Sequence, residues 1–183
     1  MTPIFLIAGA PAAGKTTVSR ALAGRFAKSI HIPLDTIRDM VVSGLTLPNP
    51  IWSQELIEQL AISRASVCAM ALCYNQAGFA VAVDDFYDQN SHLLEYEALL
   101  AARQTHKILL YPSEQTALAR NLDRYGPGRK TDHLAVGIRI VYDHLQSAVV
   151  DELTEQGWIV VDSTEQSVEQ TVAEILKRTG ANQ

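Results

Sequence analysis

One stretch near the start of the chain limits the folds open to it more than any other. Five apolar residues, Ile4 to Ala8, run into a turn rich in glycine and alanine, which leads to a lysine and two threonines (Ile4–Thr17, IFLIAGAPAAGKTT). A short apolar run bounded by glycine indicates a buried strand. From Lys15 to Ala27, apolar residues recur every four positions, which predicts an amphipathic helix. A strand that passes into a helix through such a turn is typical of α/β proteins.

The same alternation of short apolar and longer amphipathic segments continues along the chain. Four more segments predict strands, at residues 29–34, 79–85, 106–111 and 158–163. Helices are predicted at residues 15–27, 53–78, 91–103, 112–125, 133–156 and 165–180, with Ser53 and Ser91 as N-caps and a flexible break at residues 126–132. Buried strands that alternate with helices favour a parallel sheet covered by helices on both faces. We therefore expect a single α/β domain over residues 1–183.

The balance of charges bears on the partners of the chain. Its 20 acidic and 15 basic residues give a formal net charge of −5, which does not favour nonspecific binding to nucleic acid or to anionic membranes. No targeting segment is visible, and polar residues such as Asn75 interrupt the most apolar stretch before it reaches the length of a membrane span. We expect a cytoplasmic protein that does not act on membranes. The sequence leaves the oligomeric state open.

The glycine-rich turn fits a pattern that binds phosphate. Residues 9–16 read G-x-x-x-x-G-K-[S/T] between a predicted strand and a predicted helix, which is the context that this pattern requires. Small residues let backbone N–H groups turn toward an anion, and the following helix directs its positive end to the same place. Lys15 adds a charge near the outer phosphates, and the Thr16 hydroxyl is a ligand for a magnesium ion. The predicted loop comprises Gly9, Ala10, Pro11, Ala12, Ala13, Gly14, Lys15, Thr16 and Thr17.

A second ligand for the magnesium ion is expected at the end of a neighbouring strand. Asp84 directly follows the apolar run of the third predicted strand, where the acidic residue of such sites stands. Asp85 is the next residue, and Asp88 is three further on. For these two residues, a solvated turn or a helix cap is the alternative to a role in substrate binding.

The segment HIPLDTIRDM suggests where the acceptor of a phosphate group would lie. Asp35 leaves the second predicted strand at the carboxyl edge, where ligands bind in such sheets. A carboxylate there can accept the proton of an attacking hydroxyl. Arg38 follows one helical turn later, so it can hold an anionic part of the acceptor or steady Asp35. The alternative is that Asp35 caps the short helix and Arg38 pairs with Asp35 or Asp39 on the surface.

A basic segment next to glycines predicts a mobile lid over about residues 120–132. Arg120 and Arg124 lie one turn apart on one face of a predicted helix, and the glycines that follow permit closure. An arginine carried on a mobile segment can stabilise the charge of a phosphoryl group in transfer. The alternative is a solvated basic helix end that favours the helix dipole. Further basic candidates are Arg129 and Lys130 in the same segment, Arg139, and Arg64, which either reaches the acceptor cleft or stays on the surface.

Taken in order, the segments GAPAAGKTT, LDTIRD, VAVDD, ARNLDR and WIVVDST resemble the small P-loop kinases over essentially the whole chain. The pattern is similar to that of the AAA-type ATP-binding kinases, the group that includes the 5′-kinase domain of polynucleotide kinase. Chloramphenicol phosphotransferase and the zeta toxins are near relatives of that group. This resemblance implies a three-layer P-loop NTPase fold, with a five-stranded parallel sheet in the order 2-3-1-4-5. It also implies ATP with Mg²⁺, and a hydroxyl group as the phosphate acceptor.

The resemblance further implies roles for individual residues. Asp35 is the expected general base, with Asp85 as the other candidate, and Arg38 is the expected acceptor clamp. Arg124 is the expected lid arginine, while Arg120 would lie near the adenine or the phosphates. The loop from Ser163 to Gln166 would border the base.

The expected activity is that of an ATP-dependent kinase acting on a small metabolite or antibiotic. One alternative is a kinase of polynucleotide 5′-hydroxyl groups, which predicts a basic groove leading to Asp35. The segment Met40–Gln54 contains no lysine or arginine to build that groove. The other alternative is a nucleotide-dependent switch or ATPase without an acceptor. Residues 39–53 match nothing specific, and we expect acceptor selectivity to lie there.

Overall fold

Five parallel strands form one sheet at the centre of the molecule. The structure is a computed structural model that describes residues 2–48, 51–88 and 93–181. Within these ranges, the strands lie in the order β2-β3-β1-β4-β5, as the resemblance implied. Their bounds are β1 (Ile4–Gly9), β2 (Ser29–Pro33), β3 (Ala80–Asp84), β4 (Thr105–Leu110) and β5 (Trp158–Val161).

Helices cover both faces of the sheet because successive residues of each buried strand point to opposite sides. On β1, Phe5 and Ile7 belong to one apolar cluster, which α1 and α8 complete. Ile4, Leu6 and Ala8 belong to a second cluster on the other face, to which α3 and α6 contribute. The helices are α1 (Lys15–Ala23), α2 (Leu34–Asp39), α3 (Gln54–Gln76), α4 (Glu97–Leu100), α5 (Glu114–Tyr125), α6 (Arg129–His144), α7 (Ser147–Glu155) and α8 (Val168–Thr179).

The helix predicted at residues 133–156 is two helices. α6 ends at His144 and α7 begins at Ser147, because Leu145 leaves helical geometry with φ −75° and ψ 55°. Leu145 is fully buried, and its carbonyl accepts a hydrogen bond of 2.7 Å from the Tyr111 hydroxyl. This tertiary contact replaces a helical partner, and the periodicity of the sequence does not show it.

The predicted break at residues 126–132 is also shorter than expected. α6 begins at Arg129, so that only Gly126–Gly128 separate it from α5. Asn121 on α5 is buried and donates a hydrogen bond of 2.9 Å to the Thr131 carbonyl, which ties the two helices together across the turn.

Two other helices are shorter than predicted. α1 ends at Ala23 rather than Ala27. The predicted helix at residues 91–103 is reduced to a 3₁₀ turn (Leu94–Tyr96) followed by α4. Its predicted cap, Ser91, lies outside the described residues.

The long helix α3 begins as predicted, since the Ser53 hydroxyl accepts a hydrogen bond from the Leu56 N–H at 3.2 Å. By length and composition, α3 is the one described helix that could cross a bilayer. A core helix of a soluble protein passes the same test, so this is weak evidence. Here α3 packs against the sheet, and it carries the charged Arg64 into the interior.

Candidate active site

The predicted phosphate loop joins β1 to α1 through a backbone that only small residues fit. Gly9 ends the strand with φ +157°, and a Cβ there would lie 2.6 Å from the Leu110 carbonyl oxygen. Gly14 caps α1 with φ +95°. Ala12 has φ +60°, a conformation that costs a residue with a side chain about 1 kcal/mol or more. The loop is therefore held in a wound shape from which backbone N–H groups can surround an anion.

Lys15 lies at the centre of the predicted site. Its Nζ donates a hydrogen bond of 2.8 Å to the Ala10 carbonyl, within the loop. Burial lowers the pKa of the Lys15 ammonium. Three carboxylates act in the opposite direction on this pKa, those of Asp84, Asp35 and Asp85, while the charge of Arg124 adds to the lowering. The structure thus brings the predicted phosphate lysine within electrostatic reach of all three predicted acids and of the lid arginine.

The predicted magnesium ligands are in contact with each other. The Thr16 hydroxyl donates to Asp84 Oδ1 at 3.0 Å, and the other carboxylate oxygen, Oδ2, lies 2.5 Å from His31 Nε2. Mg²⁺ prefers oxygen ligands and is commonly held by one or two protein groups together with substrate phosphates. No cluster of three or more His, Cys, Asp or Glu side chains suited to a metal occurs among the described residues. A hydroxyl and one carboxylate beside a phosphate loop therefore fit Mg²⁺ bound with a nucleotide.

A cavity of about 190 Å³ adjoins the loop on the side of β5. Arg120 forms part of its wall, donating to the Ser163 carbonyl at 2.8 Å and to the Ala13 carbonyl at 3.4 Å. The Ser163 hydroxyl is buried and has no hydrogen-bond partner among the residues that the structure describes. The cavity is lined by Ala13, Gly14, Thr17, Val18, Arg120, Ser163, Gln166, Val168 and Thr171. It lies where the resemblance implied a nucleoside base.

The predicted lid, about residues 120–132, comprises the end of α5, the turn Gly126–Gly128 and the start of α6. Arg124 is exposed in the last turn of α5, with its guanidinium 5.0 Å from the centre of the Tyr125 ring. Lys130 Nζ lies 4.1 Å from the same ring centre. Behind this turn, α6 approaches the phosphate loop so closely that a Cβ at Gly137 would lie 3.7 Å from Pro11. The basic segment is therefore packed next to the phosphate loop. Arg129 and Arg139 are exposed.

On the acceptor side, Asp35 is exposed in the first turn of α2. The residue at the N-cap is Pro33, and no side chain caps this helix, so the capping alternative for Asp35 is wrong. Arg38 is 5% exposed and donates to the Thr46 carbonyl at 2.6 Å. A surface pair with a neighbouring aspartate is therefore wrong for Arg38 as well. Burial lowers the pKa of Arg38, while Asp35 and Asp85 oppose this shift.

Arg64 is the centre of a buried ionic cluster. The residue is fully buried on α3, and its Nε donates to Asp85 Oδ2 at 2.8 Å. Its Nη1 donates to Asp88 Oδ2 at 2.6 Å and lies 3.4 Å from Glu95 Oε2. Asp85 and Asp88 are 2% and 1% exposed, so the expectations of a solvated turn for these aspartates and of a surface position for Arg64 are wrong.

The cluster shifts the pKa values of its members. Burial raises the pKa of Asp85 to about 6, against the charge of Arg64 and its hydrogen bond. Burial alone would lower the pKa of Arg64, but the charge of Asp85 and the contacts with Asp88 raise it instead. Neutralisation of Arg64 is thus strongly disfavoured.

Solved structures match the fold over almost the entire chain, whereas no protein-family model and no curated protein matches the sequence. A sugar kinase from Janibacter sp. matches with a TM-score of 0.67 and 14% identity, over 99% of this chain and 96% of the other. A shikimate kinase from Acinetobacter baumannii, in complex with shikimate, matches with a TM-score of 0.66 and 17% identity, over 100% of this chain and 96% of the other. A tunicamycin resistance protein from Deinococcus radiodurans matches with a TM-score of 0.66 and 17% identity, over 100% of this chain and 98% of the other.

The fold is that of the P-loop kinases. At such low identities, the likeness concerns the fold, and the acceptor must be argued from the side chains of the site. The phosphate loop, Asp84 and Asp35 stand at the ends of β1, β3 and β2, which meet at one edge of the sheet.

Sequence reasoning missed several residues of the site. His31 stands in a β-strand with no motif around it, and only the register of β2 against β3 brings it to Asp84. Gln59 holds the loop after α2, accepting from the Thr46 N–H at 2.9 Å and donating to the Gly44 carbonyl at 2.8 Å. Glu95 reaches Arg64 from the 3₁₀ turn. None of these contacts follows from spacing in the sequence.

Proposed function

We propose that this protein is an ATP- and Mg²⁺-dependent kinase that transfers the γ-phosphate to a hydroxyl group of a small molecule. The observation that carries the proposal is the meeting of Lys15, the Thr16–Asp84 pair and Asp35 at one edge of the sheet. The neighbouring structures named as a sugar kinase, a shikimate kinase and a gluconokinase support a small acceptor. We further propose that the chain is related to the group that includes the polynucleotide 5′-kinase domain and chloramphenicol phosphotransferase, because its motifs resemble those of that group.

Each part of the site has a task in this reaction. Backbone N–H groups of residues 9–15 hold the phosphates, and Lys15 turns from the Ala10 carbonyl to the outer phosphate oxygens. Thr16 and Asp84 would hold Mg²⁺, which neutralises charge on the phosphate oxygens when it is bound. Arg120 and Ser163 flank the cavity for the base.

The chemical step is a balanced transfer. The acceptor oxygen forms a bond to the γ-phosphorus while the bond from that phosphorus to the β–γ bridging oxygen breaks, and ADP leaves. The hydroxyl proton passes to a carboxylate, for which we assign Asp35. Asp35 is exposed at the cleft, whereas Asp85 is engaged by Arg64. Arg124 stabilises the charge on the moving group.

Replacing Asp35 with asparagine tests the assignment of the base. The amide keeps the shape of the side chain but cannot take a proton, so kcat should fall about a hundredfold. The matched control is Asp39→Asn, at the exposed end of the same helix, which should leave kcat unchanged. Steady-state ADP release measures kcat of both variants. An Asp35→Asn enzyme with undiminished kcat would contradict the assignment.

Replacing Arg124 with alanine tests the lid. Because its contacts matter most when charge is spread in the transition state, kcat should fall about a hundredfold with little change in ATP affinity. Single-turnover kinetics and equilibrium ATP binding separate the two effects. Arg103→Ala, which removes an exposed arginine from the turn before β4, is the control. Equal losses in kcat and in affinity would show that Arg124 only binds the ground-state nucleotide.

A screen for ATP consumption with hydroxylated metabolites, antibiotics and 5′-hydroxyl oligonucleotides tests the function as a whole. We expect ADP release that depends on a small acceptor. Selective transfer to oligonucleotides would favour the polynucleotide kinase alternative. ATP hydrolysis or binding that no acceptor stimulates would favour a switch or a plain ATPase. We further propose that the enzyme works in the cytoplasm.

A further inference from the structure

The acceptor side of the site contains more carboxylates than cations. Ionisable side chains gather beyond the carboxyl ends of β2 and β3, next to the phosphate loop. Two arginines stand among four acids there, so the formal charge of the cluster is negative. We call these residues the acceptor cluster; they are Asp35, Arg38, Arg64, Asp85, Asp88 and Glu95.

Arg64 is already neutralised within the acceptor cluster. Its guanidinium contacts Asp85 at 2.8 Å, Asp88 at 2.6 Å and Glu95 at 3.4 Å. An anionic ligand at this arginine would have to displace or approach carboxylates that are nearly all buried. Like charges brought together at a buried site cost several kcal/mol. Arg64 therefore does not serve as a clamp for an acidic acceptor.

The buried polar atoms of the acceptor cluster that lack a hydrogen-bond partner within residues 2–48, 51–88 and 93–181 include one acceptor and one donor. They are Asp85 Oδ1, which accepts hydrogen bonds, and Arg38 Nε, which donates them. Their residues are 2% and 5% exposed. Buried polar atoms are normally paired, so an unpaired donor and acceptor in one cluster indicate a ligand. A hydroxyl group can donate to the carboxylate and accept from the guanidinium, whereas a ligand carboxylate is repelled by Asp85.

Lys15 acts on Asp85 from the phosphate loop, and the other described surroundings of the acceptor cluster add apolar surface. Trp52 meets the Phe86 ring edge-on, at a centroid distance of 6.0 Å, and Arg64 lies over the same Phe86 ring at 5.3 Å. Both rings are half-buried. The segment Met40–Ser53 contains no charged residue, and Met40, Val42 and Leu47 are exposed on it. Aromatic and aliphatic surface of this kind suits the C–H faces of a ring compound.

We propose that the acceptor is an uncharged, polyhydroxylated ring compound, and that the Arg64–Asp85–Asp88 contacts exclude acidic analogues. Asp85 Oδ1 and Arg38 Nε bind its hydroxyl groups, and the aromatic pair packs against its ring. This inference rests on the proposed kinase function and adds the class of acceptor to it.

The test compares matched acceptors with the complete wild-type chain and MgATP. Hexoses are compared with the corresponding uronic acids, and cyclitols with carboxylated cyclitols, by steady-state ADP release and detection of the phosphorylated product. We expect kcat/KM for the neutral member of a pair to exceed that for the acid by at least about tenfold. Equal or better transfer to the acids would overturn the inference and leave the kinase function standing. Transfer to none of these compounds would also overturn it, and the broader screen then decides the function separately.

A variant tests whether Arg64 sets the preference. Asp88→Asn removes one of its charged partners, so the ratio of neutral to acidic kcat/KM should narrow several-fold. Glu97→Gln is the control, because this carboxylate is exposed on α4 and stands outside the acceptor cluster. Thermal unfolding establishes that both variants are folded. If the ratio of neutral to acidic kcat/KM were unchanged in a folded Asp88→Asn protein, Arg64 would not set the charge preference. If this variant does not fold, the comparison of acceptors with the wild-type chain still decides whether neutral acceptors are preferred.

Discussion

Replacing Lys15 with alanine lowers kcat/KM about a thousandfold, because the transferred phosphate loses the cation that the loop holds beside it. The side chain is placed for this role by its bond to the Ala10 carbonyl and by the surrounding carboxylates. Lys15 is half-buried and burial lowers its pKa, and electrostatic contacts at such a site are stronger than in bulk water. Acceptor-dependent ADP release is the measurement.

The control for this prediction is Lys28→Ala. Lys28 is exposed, donates to the Ala77 carbonyl at 3.0 Å and lies over the Phe79 ring, away from the phosphate loop. Its removal should leave kcat/KM close to that of the unmodified enzyme. Similar activity losses in both variants would mean that a general loss of charge or stability, and not the phosphate contact, explains the effect.

Replacing Arg64 with methionine destabilises the fold by about 3–5 kcal/mol, since it leaves Asp85 and Asp88 buried without their cation. These contacts join α3 to the segment after β3, so the loss should appear as a lower free energy of unfolding in chemical denaturation. The comparison is Arg178→Met, which removes an exposed pair with Glu174 at 3.1 Å and an exposed hydrogen bond to the Val160 carbonyl, and should cost about 1 kcal/mol.

A rescue variant separates charge from packing. Combining Arg64→Met with Asp85→Asn and Asp88→Asn removes the two buried charges as well, and should recover part of the lost free energy. If the triple variant were less stable than Arg64→Met alone, uncompensated charge would not be the cause. A loss equal to that of Arg178→Met would show that Arg64 is not in a buried ion cluster.

The fold follows from the sequence where the local pattern and the tertiary structure agree. The central strands β1 and β3 are buried at every position, and the apolar runs of the strands stand out against polar turns. The phosphate loop is recognisable because backbone geometry restricts Gly9 and Gly14 to glycine. The break at Leu145 is invisible for the opposite reason: it depends on a hydrogen bond from Tyr111, 34 residues away.

On the acceptor side as well, some residues can be proposed from the local sequence, while others depend on tertiary contacts. Asp35 and Arg38 could be proposed from their place after β2, but burial of Arg38 depends on the Thr46 carbonyl in a loop without a motif. For Arg64 and Asp85, the sequence left a surface position open beside a place at the acceptor site, because a charged residue is rarely buried unless it is paired. Their pairing across 21 positions is a property of the packed sheet and helix. Spacing alone therefore leads to the predicted phosphate loop, whereas the contacts of the acceptor side arise from packing.

The central claim is that residues 9–16 hold the nucleotide's phosphates beside the end of β2. A crystal structure with Mg²⁺ and a non-hydrolysable ATP analogue tests it most directly. We predict phosphates enclosed by the loop, the metal ion on Thr16 and Asp84, and the terminal phosphate between Lys15 and Asp35. An empty loop, or a nucleotide bound at the opposite edge of the sheet, would contradict the account.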